Sequence, residues 1–89
     1  MTRQLEPHLS LVIPLYNEAE NLPVLAAEIR QALEPTARSW ECLFVDDGST
    51  DGTGERALAA GARVVRHASN LGYGAALKSG IARTAARAI

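Results

Sequence analysis

Three short apolar runs, each closed by a polar turn and followed by a stretch of helical period, govern what this chain can fold into. Leu9-Ser10-Leu11-Val12-Ile13-Pro14 is mostly apolar and stopped by proline, as suits a buried strand. Trp40 to Val45 is the second run, and Arg63-Val64-Val65-Arg66 is a third, more polar one that belongs nearer a sheet edge. From Asn21 the period changes: Leu22, Leu25, Ala26, Ile29, Ala32 and Leu33 recur at helical spacing, while Glu28, Arg30 and Gln31 fall elsewhere. Asn21 is the expected N-cap, Pro23 fits a first turn, and Glu34-Pro35 ends that helix. Asp51 or Thr50 can cap a short helix through Leu58, with Gly61 at its C′ position. Asn70 can cap a last helix from Gly72 towards Ala88, with Leu77, Ile81 and Ala85 on one stripe. The order βαβαβα predicts an α/β fold with a right-handed, doubly wound, Rossmann-like parallel sheet.

Met1 to His8 is polar and irregular and is expected to be a disordered lead-in, with residues 9–89 forming the domain. Thr84 to Ile89 carries no C-cap glycine or proline. The sheet is therefore expected to be incomplete, with an open edge that takes a further strand or a partner, a second copy included.

Composition narrows the function classes. At 47% hydrophobic and 21% charged residues the chain is globular rather than disordered. Its net charge of -1 gives no electrostatic case for nucleic acid or an anionic membrane surface. Cys42 is the single cysteine, so an internal disulfide and a multi-thiolate zinc site are both excluded, and it reads as a small core residue. No apolar run has the length of a membrane span, and a cytoplasmic location fits the reduced cysteine.

Chemistry-bearing residues fall in the three turns, which a parallel sheet brings to one edge, where ligands of open α/β sheets bind. In the first, Pro14 fixes the exit, Tyr16 offers an aromatic face, and Glu18 is an acceptor near a helix start. Asn17 and Glu18 can equally serve only to form and charge the helix N-terminus. In the second, Asp46 and Asp47 are costly unless donors, a ligand or a metal meet them. Gly48 permits close backbone approach and Ser49 adds a hydroxyl. The same acids can serve the turn itself, Asp47 in an Asx-turn and Asp46 by accepting the Ser49 or Thr50 amide. A shared metal is disfavoured, because adjacent strand residues point to opposite faces.

The third turn, Asn70-Leu71-Gly72-Tyr73-Gly74, can bring phosphate or ribose close to free N–H groups, and Lys78 can face a phosphate or lie solvated on the surface. Two motif matches fail there. The dinucleotide fingerprint has Leu77 in place of its last glycine, and the P-loop has Leu77 in place of the glycine before its lysine. His67 shows no acidic pairing in sequence and reads as a solvated or hydrogen-bonded loop residue.

Val12-Ile13-Pro14-Leu15-Tyr16-Asn17-Glu18, then Val45-Asp46-Asp47-Gly48-Ser49-Thr50-Asp51-Gly52-Thr53, then Asn70 to Gly80 together closely resemble the family 2 glycosyltransferases of GT-A fold. The third motif is similar to the branch that passes a sugar from a nucleotide donor to a polyprenyl phosphate. The resemblance implies that Pro14, Tyr16 and Glu18 frame the base of a UDP- or GDP-sugar and that Asp46 reads its N–H. It implies that Asp47 supports the ribose pocket or its turn; Gly48 and Ser49, from their close approach and hydroxyl, are counted among the nucleotide-sugar-binding residues. Gly72, Gly74 and Lys78 would then lie near ribose and diphosphate. It further implies a Mg or Mn ion bound outside this chain, a lipid-phosphate acceptor, a place at the cytoplasmic face of a membrane, and no catalytic residue among these 89. A nucleotide-binding or assembly module without chemistry is the competing reading, and a NAD-binding domain the next.

Overall fold

Parallel strand pairing sets the frame of the chain. In the computed structural model, which describes residues 9–35 and 39–84, β1 (Leu9–Leu15), β2 (Trp40–Asp47) and β3 (Arg63–His67) form one parallel sheet in the order β1-β2-β3. Helices α1 (Leu22–Leu33), α2 (Thr53–Ala59) and α3 (Tyr73–Ala82) follow the strands in turn, giving the expected βαβαβα order. The lead-in assigned to Met1 to His8 lies outside the described residues. Leu43, Phe44 and Val45 of the central strand are almost wholly buried, as a strand covered on both faces requires.

Alternation along the strands separates two layers. Ile13, Leu15, Cys42, Phe44 and Val64 pack with Leu22, Leu25 and Ile29 of α1 and Ala57 of α2. Val12 and Val45 face α3. A Cβ on Gly80 would sit 2.3 Å from Val12 Cγ1 and 3.0 Å from Val45 Cγ2, so α3 lies on the sheet through its small residues, Ala76 and Gly80. This corrects the expected Leu77 and Ile81 stripe: Leu77 is half-buried and Ile81 exposed, while Ala85 lies outside the described residues. Close backbone approach, rather than side-chain bulk, decides which face of α3 is inward. Cys42 behaves as a small core residue, its thiol pushed up to about 11 by burial and by Glu41 beside it.

Several boundaries move. β1 runs one residue past Pro14, which pairs with Val45, and Pro14 is tolerated because β1 is an edge strand in the described sheet. β2 extends to Asp47, so both acids belong to the strand rather than to the turn after it. Asn21 does precede α1, but its amide donates to Glu18 Oε1 instead of capping by side chain. Gly72, not Asn70, stands at the start of α3, since the Asn70 amide is committed to the Asp47 carbonyl at 3.3 Å.

Candidate functional site

Because the parallel register carries all three strands to a common end, the turns after them share one edge, and hydrogen bonds fasten them there. The first turn is sewn to the second. Asn17 N–H donates to Ser49 Oγ at 2.9 Å, Glu18 N–H to Thr53 Oγ1 at 2.9 Å, and Ala19 N–H to Asp51 Oδ2 at 3.1 Å. In return Thr50 N–H donates to Asn17 Oδ1 at 2.9 Å. That reciprocal bond needs Asn17 at φ 54, a left-handed conformation in which asparagine is enriched. Asp51 also accepts the Thr53 amide at 3.1 Å and the Thr53 hydroxyl, so it serves the start of α2 from one residue before Gly52.

Asp46 and Asp47 part to opposite faces, as their adjacency in a strand dictates. Asp46 accepts the Ser49 amide through Oδ1 at 3.0 Å and closes its own turn. Its Oδ2 converges with the Arg66 side chain over Gly54, where a Cβ would lie 2.5 Å from both Asp46 Oδ2 and Arg66 Nε. Asp47 faces α3. Its Oδ1 accepts the Leu71 amide at 2.9 Å and its Oδ2 the Gly72 amide at 2.8 Å. His67, its register partner on β3, places Nδ1 2.7 Å from Oδ1, and His67 Nε2 meets Ser79 Oγ at 2.7 Å. The acid therefore holds the third turn in place, and the expected Asx-turn role gives way to this longer reach.

These bonds have an electrostatic signature. The Asp47 carboxyl is held below its ordinary 3.8 by the His67 hydrogen bond first, then by the Leu71 amide, with the Gly72 amide and the His67 charge adding. Asp51 is lowered by the Thr53 hydroxyl first, with the Ala19 and Thr53 amides also contributing. A lowered folded value means stability that is complete above the unfolded carboxylate range, near pH 4, and lost as pH falls through the folded values. Acid unfolding followed by circular dichroism from pH 5 to pH 2 is expected to show a limb that flattens in Asp47→Asn and Asp51→Asn. An unchanged limb in both variants would contradict these bonds.

Of the residues singled out in sequence, Pro14 and Glu18 line one groove beside β1, about 460 Å³, with Ile13, Leu15, Asn21 and Leu25. Tyr16 stands half exposed at the edge, and Gly74 and Lys78 are exposed on α3 with nothing near Gly74. Gly48 does use its freedom at φ 78, but the close neighbour is the Ser69–Asn70 backbone rather than open space for a ligand. Ser49 Oγ accepts the Asn17 amide. Thr53 and Ser79 were given no role in sequence, Asn17 was read only as forming the helix N-terminus, and His67 proves hydrogen-bonded rather than solvated; the signal for its partner was that His67 ends its strand as Asp47 does, so a parallel register pairs them. A separate cavity of about 220 Å³, lined by Ile29, Trp40, Cys42 and Ala62 among others, lies at the opposite strand ends. Among the described residues no group of three His, Cys, Asp or Glu could hold a metal ion, and both acids of the edge are committed to amides. These residues do not fit a metal centre.

The profile of the family described as Glycosyl transferase family 2 matches residues 10–89. The chain belongs to this family. Among its relatives, the undecaprenyl-phosphate 4-deoxy-4-formamido-L-arabinose transferases of Salmonella choleraesuis and Salmonella paratyphi B are each 47% identical over 47 residues, 53% of this chain and 14% of theirs. The mannosyltransferase PcManGT from Pyrobaculum calidifontis, solved with GDP-Man and Mn2+, superposes with a TM-score of 0.74 at 21% identity, over 92% of this chain and 26% of that one. The fold of this family 2 glycosyltransferase chain is thus the Rossmann-like part of a GT-A domain, and it spans about a quarter of that neighbour's length.

Proposed function

We propose that the chain is the donor-nucleotide-binding part of an inverting glycosyltransferase that passes a sugar from a UDP- or GDP-sugar to a polyprenyl phosphate. The observation that carries the reading is the edge itself: three turns tied into one rigid unit, with an exposed Tyr16 ring at one end and an open Gly74 at the other. Tyr16 offers a stacking face for a base, with Pro14 and Glu18 beside it. Asp46, with only Oδ1 bonded to an amide, is the acid assigned to the base N–H. The N–H groups of Tyr73, Gly74 and Ala75, which precede the first intrahelical bond of α3 from Ala76 to Gly72, are donors for ribose or diphosphate oxygens. Lys78 adds a positive charge on the same helix.

The acceptor class rests on the Salmonella relatives, whose names place undecaprenyl phosphate in their reaction. A lipid acceptor puts the reaction at a membrane surface, and we place it on the cytoplasmic side; no described helix is long and apolar enough to cross a membrane. A Mg or Mn ion bound outside this chain would offset the charge of the departing diphosphate. With no group among the described residues that could hold that ion, the 89-residue chain is read as binding donor without transferring sugar.

Titration with UDP, GDP and NAD, with and without Mn²⁺ or Mg²⁺, tests the reading. One nucleoside diphosphate is expected to bind with Kd on the order of 10 μM to 1 mM, at least tenfold tighter than NAD. NAD as the tightest ligand, or no nucleotide binding at all, would overturn it.

A further inference from the structure

We propose that His67 is a positioning residue for the donor pocket, joining the ends of two strands to the second turn of α3 and thereby fixing the third turn against the nucleotide's phosphates. The inference rests on the donor-binding reading above. Its basis is a three-membered chain of side chains, Asp47–His67–Ser79, with both links at 2.7 Å, in which Asp47 and His67 are nearly buried and Ser79 is half-buried. A carboxylate only accepts, so Nδ1 carries a proton and donates to Asp47, while Nε2 meets the Ser79 hydroxyl on the other side of the ring. His67 thus occupies the side of Oδ1 that Leu71 N–H does not, and keeps the carboxylate plane turned so that Oδ2 meets Gly72 N–H. Without the ring, the Asp47 carboxylate plane is held by the Leu71 and Gly72 amides alone, and the Leu71–Gly72 backbone loses its brace to the end of β3. Gly72 lies at φ 104 with no side-chain cap on α3, so Asp47 holds the turn at Leu71 and Gly72, while Ser69 and Asn70 lie against Gly48. Ser79, one helical turn and more beyond Gly74, anchors the far end, so that α3 and the acid move as one body.

The experiment compares wild type with His67→Ala, His67→Asn and Ser79→Ala in the intact protein, measuring affinity for the nucleoside and for its diphosphate, uridine against UDP and guanosine against GDP. Loss of the phosphate-facing turn should weaken the diphosphate about tenfold in His67→Ala and change nucleoside affinity less than twofold. His67→Asn, whose amide can still donate to Asp47, should recover most of that loss, and Ser79→Ala should fall between. Proportional loss for nucleoside and diphosphate, with no rescue by asparagine, means a merely structural ring and overturns the proposal. Unchanged diphosphate affinity in all three variants overturns it as well. A wild-type protein that binds neither diphosphate fails at an earlier point, overturning the donor-binding reading and the proposal with it. Unfolding midpoints measured alongside keep the two kinds of loss apart, because a variant that fails to fold loses both ligands at once.

Discussion

Gly48→Ala is expected to lower the unfolding midpoint by roughly 15 °C, on the order of 3 kcal/mol for a chain of this size. Two costs combine. At φ 78 a side chain enters the left-handed region, worth about 1–2 kcal/mol. The new Cβ would also lie 2.4 Å from the Ser69 carbonyl carbon and 2.5 Å from the Asn70 nitrogen, and because both are backbone atoms no rotamer change relieves the overlap. The second and third turns would have to separate. Gly52→Ala is the control, since Gly52 shares the positive φ, at 88, with nothing within 4 Å. It should cost only about 1–2 kcal/mol. Thermal unfolding of the three proteins checks the difference, and equal midpoints for the two variants would mean that the turns do not touch.

Asp47→Ala is expected to be as damaging to binding as Gly48→Ala is to stability. It strands the Leu71 and Gly72 amides and the His67 ring N–H, three donors that one carboxylate now serves. Donor-nucleotide affinity should fall at least about tenfold and the unfolding midpoint by roughly 10 °C. Asp47→Asn should be milder. Its oxygen can keep the two donors on the Oδ1 side, while its NH₂ faces the Gly72 N–H and repels it. Calorimetric titration and thermal unfolding of both variants provide the measurements, and an asparagine variant as weak as alanine would contradict the two-to-one division of donors.

Much of this was legible from the chain alone. The strand–turn–helix order followed from periodicity, and the common edge followed from parallel connection. The opposite directions of Asp46 and Asp47 followed from the pleat. What stayed hidden depended on register and on close approach. Asp47 and His67 are 20 residues apart, and only the pairing of β2 with β3 sets them side by side. The inward face of α3 was misread because Gly80 carries no hydrophobic side chain, yet its smallness is what lets the helix reach Val12 and Val45. Gly48 and Ser49 were read as ligand-facing on residue type, and the structure shows what sequence could not, that they also meet neighbouring turns, Ser69–Asn70 and Asn17. Glycine and hydroxyl side chains serve chain and ligand by the same chemistry, and sequence alone does not rank the two.

The stitching of the first turn to the second also decides when the edge can exist during folding. Its four bonds join residues 32 to 35 positions apart, and the Asp47 bonds to Leu71 and Gly72 span 24 and 25. Loop closure over such separations is repaid only after the strands have paired. The edge is therefore late to form and cooperative. Its amides from Asn17 to Ala19 and at Leu71 and Gly72 gain protection together with the sheet, so a nascent chain holding only the first strand and helix has no partial pocket to offer.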